Sequence, residues 1–126
     1  MLNEPVLIID DNPLNLKLMK RLLEADQYQP LTAKNAEETM LLLERFRPRL
    51  ILVDFQMPGV DGVELTKQLR TDPQNKEVII VMVTSYDQKG EEEKARAAGC
   101  DAYIMKPIDT QALSGLIAEL LRRKNS

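Results

Sequence analysis

The chain contains no histidine and a single cysteine, Cys100. Without histidine it cannot offer an imidazole base to a serine or cysteine nucleophile, an imidazole ligand to a metal, or a phosphohistidine of its own. Any phosphohistidine in its chemistry has to come from a partner. A lone cysteine excludes an internal disulfide, and its setting in AAGCDAY, ahead of an apolar run, reads as a buried structural thiol, with a redox role as the alternative. Long apolar runs are also missing, since none approaches the ~20 residues that a membrane-crossing helix needs. The N-terminus MLNEPVLIID lacks a charged region followed by a long apolar one, so a cytoplasmic protein with no membrane contact is expected. Nor is there an excess of positive charge: 17 lysines and arginines stand against 20 acidic residues, a net charge of -3. That balance gives no electrostatic footprint for nucleic acid, and direct binding to it is not expected.

With 126 residues, 44% of them hydrophobic, the chain is long enough for one globular domain with its own core. No repeat, low-complexity tract or Gly/Ser/Pro linker divides it. Four apolar runs each stop at a residue suited to phosphate or metal chemistry: VLII at Asp10 and Asp11, LILV at Asp54, VIIVMV at Thr84, and AYIM at Lys106. Each run is short and rich in Val, Ile or Leu, and amphipathic stretches separate them, the signature of buried parallel strands with crossover helices. In open sheets of that kind ligands sit beyond the carboxyl ends of the strands. Three carboxylates, a hydroxyl and an ammonium group are therefore expected in one pocket.

The pattern predicts strands over 5–10, 29–33, 50–54, 78–84 and 102–105, and helices over 13–25, 35–46, 62–71, 88–98 and 109–123. YQPLTA, which holds the second strand, has the weakest signal. Asn12 reads as the cap of the first helix, with Pro13 in the first turn, where a missing N–H costs nothing. Leu113, Leu116, Ile117, Leu120 and Leu121 form the core stripe of the last helix. Glu91, Glu92 and Glu93 fall early in a helix, where its dipole favours negative charge, and receive no catalytic role. MPGVDG reads as a turn into a helix, with Gly59 and Gly62 allowing tight backbone geometry, whether for the turn alone or for shaping the site.

If Asp10, Asp11 and Asp54 meet, they repel: two charges ~4 Å apart interact by ~4 kcal/mol at an effective dielectric of 20. A divalent cation among the oxygens relieves this, and an all-oxygen site suits Mg²⁺, with Mn²⁺ as a substitute, rather than Zn²⁺. Carboxylate is a nucleophile toward phosphorus, while a lysine ammonium and a threonine hydroxyl can bond the transferred oxygens. Together the five residues suffice for phosphorylation of an aspartate.

VLIIDDN, LILVDFQMPGVDG, VTS and YIMKP in combination resemble the receiver domain of two-component response regulators, over essentially the whole chain. The resemblance implies an α/β fold of the flavodoxin-like doubly wound kind, a five-stranded parallel sheet in order 2-1-3-4-5 flanked by five helices. It also implies a cis peptide before Pro107, which the Lys-Pro pair by itself only permits. In this resemblance Asp54 is the phosphoacceptor. Asp11, Asp54 and the Gln56 backbone carbonyl ligate Mg²⁺, and Asp10 acts through metal-bound water. Lys106 contacts the phosphoryl group, Thr84 moves toward it, and Tyr103 turns inward on activation. From its residue type alone Tyr103 is equally an amphipathic side chain packed at a surface edge. Ser85 follows Thr84 where the family often has alanine.

The donor expected is a histidine kinase or a histidine phosphotransfer protein. The resemblance implies an output surface around the fourth helix, fifth strand and fifth helix, for a downstream protein or output domain, with the receiver expected as a monomer or a phosphorylation-linked dimer. Residues 1–126 read as one receiver domain, free-standing or excised from a longer protein. Gln56 and Tyr86 each lie two residues past a site residue and are expected to flank the path of water to the acyl phosphate; the bulk of Tyr86 predicts slow self-dephosphorylation.

Two other readings compete. One is a Mg²⁺-dependent phosphatase or phosphotransferase with an aspartyl intermediate, though such enzymes commonly carry the nucleophile on the first strand with a second Asp two residues on, whereas Asp10 and Asp11 are adjacent. The other is a scaffold whose acids serve only as caps and turns.

Overall fold

In the computed structural model, which describes residues 4–84 and 90–124, five strands alternate with five helices. They run β1 (Pro5–Ile9), α1 (Pro13–Ala25), β2 (Gln29–Ala33), α2 (Ala36–Leu43), β3 (Leu50–Asp54), α3 (Gly62–Thr71), β4 (Ile79–Thr84), α4 (Glu91–Ala98), β5 (Ala102–Met105) and α5 (Thr110–Lys124), with a 3-10 turn at Pro73–Asn75. All neighbours pair parallel, in the order β2-β1-β3-β4-β5, as the resemblance implied.

Alternation along the buried strands divides the core in two. Leu7, Ile9, Ile51, Val53, Ile80 and Met82 point to one face and pack with Leu43, Leu65, Leu69 and Ala95 from α2, α3 and α4. Val6, Ile8, Leu50, Leu52, Ile79 and Val81 point to the other and pack with Met19 and Leu23 of α1 and Leu113, Ile117 and Leu121 of α5. Each face of a parallel sheet is thus covered by helices, so these strands read as unbroken apolar runs. β2 is an edge strand paired only with β1 and mostly half-exposed. An edge tolerates Pro30, which has no N–H to donate.

Side-chain caps set the helix starts. Asn12 Oδ1 accepts from Leu14 N at 2.9 Å and Asn15 N at 3.2 Å, and Asn35 Oδ1 accepts from Glu38 N at 2.8 Å. Asp61 Oδ1 caps α3 through Glu64 N at 2.9 Å, and Asp109 Oδ1 caps α5 through Gln111 N and Ala112 N.

Several boundaries move by a residue or more. Asn35 and Asp109, expected inside helices, are caps. α2 ends at Leu43 rather than 46, because the N–H groups of Glu44 and Arg45 turn to carbonyls only three residues back, Leu41 and Leu42. β1 ends at Ile9, β4 starts at Ile79, and α5 runs to Lys124. Gly90, expected inside the fourth helix, precedes it at φ +92°, and the start expected at 88 lies outside the described residues. Among those residues no helix is long and apolar enough to cross a membrane.

Candidate functional site

At the carboxyl edge of the sheet, β3 ends on Asp54 and β1 is followed directly by Asp10 and Asp11. Parallel pairing of β1 with β3 sets Ile9 beside Val53, so the acids that follow both strands come out together. One carboxylate oxygen of each of Asp10, Asp11 and Asp54 lies within 4.8 Å of the others. Asp10 and Asp54 are buried and Asp11 is exposed. β4 ends on Thr84, and Lys106, just past β5, donates its backbone N–H to the Thr84 carbonyl at 2.6 Å.

The side chain of Lys106 reaches back over the acids. Its Nζ stands 3.5 Å from Asp10 Oδ2 and 3.6 Å from Asp54 Oδ2. Asp10 is held from two further directions, accepting from Asn12 N at 2.9 Å on Oδ1 and from Asn15 Nδ2 at 3.3 Å on Oδ2. Asp54 accepts one bond at 3.3 Å from the backbone N–H of Gln56. Burial pushes the Asp54 carboxyl up to about 6, and the Asp10 charge adds to the rise; the Lys106 ammonium and the Gln56 hydrogen bond pull it back.

The loop after β3 is fixed by close packing. Phe55 N donates to Val83 O at 2.7 Å, and Gly62 N to Phe55 O at 3.0 Å. A Cβ on Gly62 would sit 2.3 Å from the Asp54 carbonyl oxygen, so this helix starts against the backbone of the acid itself. Gly59 answers a different need, a left-handed φ of +77°. The Lys106–Pro107 peptide is cis. From the acids a cleft of about 410 Å³ runs between α1 and the β5–α5 connection, lined by Asn15, Leu18, Leu22 and Ile108 among others.

The family model for the response regulator receiver domain matches residues 6–118. The chain belongs to that family. A polar-differentiation response regulator of Brucella anthropi is 44% identical over 103 residues, 82% of this receiver and 84% of the relative. A CheY-like receiver domain protein from Methanospirillum hungatei superposes with a TM-score of 0.91 at 30% identity, covering 99% of this receiver and 98% of that chain. The receiver domain of a sensor histidine kinase from Pseudomonas aeruginosa, with a magnesium ion coordinated in its active-site cleft, superposes with a TM-score of 0.84 at 26% identity, covering 98% and 99%.

Receiver domains bind Mg²⁺ at an acidic pocket, and three converging carboxylates give this receiver hard oxygen donors of the kind Mg²⁺ takes. Of the residues singled out from sequence, Asp10, Asp11, Asp54, Thr84 and Lys106 all fall at this edge. Gln56 is exposed in the loop above Asp54. Tyr103, opposite Met82 in the sheet, is half-buried against the core and donates from its hydroxyl to Glu91 Oε1 at 3.4 Å. Tyr86 lies outside the described residues.

Two contributors escaped the sequence reading. Asn15 reaches Asp10 from the first turn of α1, and an amide one turn past the paired acids was the available signal. Glu91 is buried while Glu92 and Glu93 are exposed; its spacing of four from the buried Ala95 marks the inward face of α4.

Proposed function

We propose that this receiver accepts a phosphoryl group on Asp54 from a phosphohistidine donor and changes its output surface in response. The observation that carries the reading is the buried Asp54 carboxylate, with Asp10 and Asp11 beside it and Lys106 Nζ 3.6 Å away. A carboxylate held near pKa 6 is mostly ionised at neutral pH and remains nucleophilic. In the transfer an Asp54 oxygen forms a bond to phosphorus while the nitrogen–phosphorus bond of the donor breaks, and imidazole leaves.

Mg²⁺ would be held by Asp11, Asp54 and the Gln56 backbone carbonyl, with Asp10 reaching it through water and Mn²⁺ as a substitute; bound there, it supplies positive charge against the phosphoryl oxygens. Lys106 moves little to bond the same oxygens, and the Thr84 hydroxyl joins it. Tyr103 then carries the change to the surface of α4, β5 and α5. Gln56 and Tyr86 are the positions we assign to control of hydrolysis, with Tyr86 slowing it.

On this reading the chain, residues 1–126, is a single receiver domain that assists its own phosphorylation and dephosphorylation and does not turn over an external substrate. Its donor is a histidine kinase or histidine phosphotransfer protein in the cytoplasm, and its target is a downstream protein or output domain, reached as a monomer or as a phosphorylation-linked dimer. Family membership supports a phosphohistidine donor, and with no histidine among these 126 residues that phosphohistidine lies outside them.

Incubation with acetyl phosphate, with and without Mg²⁺, followed by intact mass measurement tests the reading. One phosphoryl adduct that needs Mg²⁺ is expected in the parent, and none in Asp54→Asn. An equal adduct in both proteins would refute the assignment of Asp54.

A further inference from the structure

The fourth helix has little of its own to hold it. α4 is eight residues long, and helices under about 12 residues are marginal alone in water. Its buried apolar side chains are two alanines, Ala95 and Ala98, which remove little area from water. At its start Gly90 provides no side-chain cap.

The other end is bound firmly. Gly99, at φ +115°, closes the helix in the left-handed manner, with Gly99 N donating to Arg96 O at 3.0 Å and Cys100 N to Ala95 O at 3.2 Å. Arg70, from the last turn of α3, lies across this cap. Its Nε donates to Gly99 O at 3.0 Å, its Nη1 to Asn75 O and Val78 O at 2.8 Å each, and its Nη2 to Asp101 Oδ2 at 3.0 Å. The same Asp101 oxygen accepts Ile80 N at 2.9 Å, and Asp101 N donates to Ile80 O at 2.7 Å. One rigid guanidinium fork thus joins α3, the 3-10 turn, the start of β4, the end of α4 and the approach to β5.

We propose that Arg70 is the fulcrum of α4, fixing its C-terminal end so that signals from the acidic site displace its N-terminal end. This rests on the reading of the chain as a phosphorylation-driven switch and says where that switch bends. Displacement enters where Tyr103 meets Glu91 in the first turn. The Gly99 end, held through the Gly99 carbonyl and the Asp101 carboxylate to a side chain that also bonds the carbonyls of Asn75, Lys76 and Val78, stays in place in both states.

Cys100 makes the idea testable, because the chain's single thiol is buried directly beside Gly99. Its alkylation rate by iodoacetamide at one fixed pH reads how often this end opens. Parent, Arg70→Met and Arg70→Lys are compared with and without Mg²⁺ and acetyl phosphate, with adducts counted by intact mass in the same samples. The parent should label slowly and at one rate whether phosphorylated or not. Arg70→Met should label about tenfold faster or more, since several charge-assisted bonds are lost, and faster again once phosphorylated. Arg70→Lys, which keeps the charge without the fork, should fall between them.

Low concentrations of urea separate local from global opening, because only global unfolding exposes enough surface to depend steeply on denaturant. The proposal is overturned if Arg70→Met labels at the parent rate, if phosphorylation speeds labelling in the parent as much as in the variant, or if Arg70→Lys labels like the parent while the gain in Arg70→Met follows global unfolding. No adduct in any sample would instead overturn the phosphoacceptor reading and the fulcrum with it, while the unphosphorylated samples would still decide whether Arg70 clamps this end.

Discussion

Lys106 Nζ stands 3.6 Å from Asp54 Oδ2, and the same nitrogen lies 3.5 Å from Asp10. One ammonium group therefore serves two acids that repel each other. It lowers the Asp54 pKa, but burial and the Asp10 charge outweigh it, and the carboxyl settles at about 6. A carboxylate that is ionised at neutral pH yet poorly stabilised by its surroundings gains most from added positive charge.

That balance fixes how stability depends on pH. The folded Asp54 carboxyl sits at about 6 against an ordinary value of 3.8, so the folded state holds the proton more tightly than the unfolded chain. The favourable contribution is fully present below 3.8 and is lost as pH rises through 6. With Mg²⁺ chelated, Asp54→Asn should therefore gain stability relative to the parent by on the order of 2 kcal/mol between pH 4 and pH 7.5. Urea denaturation across that range measures it, and a difference independent of pH would contradict the assignment.

Mg²⁺ should stabilise the parent in the same pH window. A ligand at 100 times its Kd adds about 2.7 kcal/mol, and each kcal/mol raises Tm by about 4 °C in a domain of this size. The rise should be clear at pH 7.5, small at pH 5, where Asp54 is protonated, and much reduced in Asp11→Asn. Thermal unfolding with and without the metal checks all three, and an equal rise in Asp11→Asn would remove Asp11 from the metal site.

Gly62 and Gly59 should respond differently to alanine. At Gly62 the new Cβ would sit 2.3 Å from the Asp54 carbonyl oxygen, and overpacking of that kind costs about 1–3 kcal/mol. Because the displaced backbone carries the proposed phosphoacceptor, phosphoryl uptake should fall as well. At Gly59 nothing lies within 4 Å and the strain comes from φ +77° alone, worth about 1 kcal/mol. Urea unfolding and acetyl phosphate uptake, measured on both variants, should show loss of stability in each and slowed uptake only for Gly62→Ala.

Much of this was legible in the residues because β1, β3 and β4 are buried on both faces. Their apolar runs are continuous and stop abruptly at Asp10, Asp54 and Thr84. β2 was faint for the opposite reason: it is an edge strand carrying Pro30. The caps Asn35 and Asp109 look helical in the sequence because only its own backbone conformation and one side-chain bond set a cap apart from the helix it begins. Asn15 escaped because its role depends on a side chain turning back to Asp10. Arg70 escaped because its partners Gly99 and Asp101 lie some thirty residues on, and only the parallel crossover brings them to α3.

The most direct test of the central claim is to find which carboxylate carries the phosphoryl group. The acetyl phosphate-treated protein is reduced with borohydride, which converts an aspartyl phosphate to homoserine, and then digested and sequenced by mass spectrometry. Homoserine at position 54 alone, and only in samples that contained Mg²⁺, is the predicted result. Homoserine at position 10 or 11, or an adduct that leaves position 54 unchanged, would contradict it.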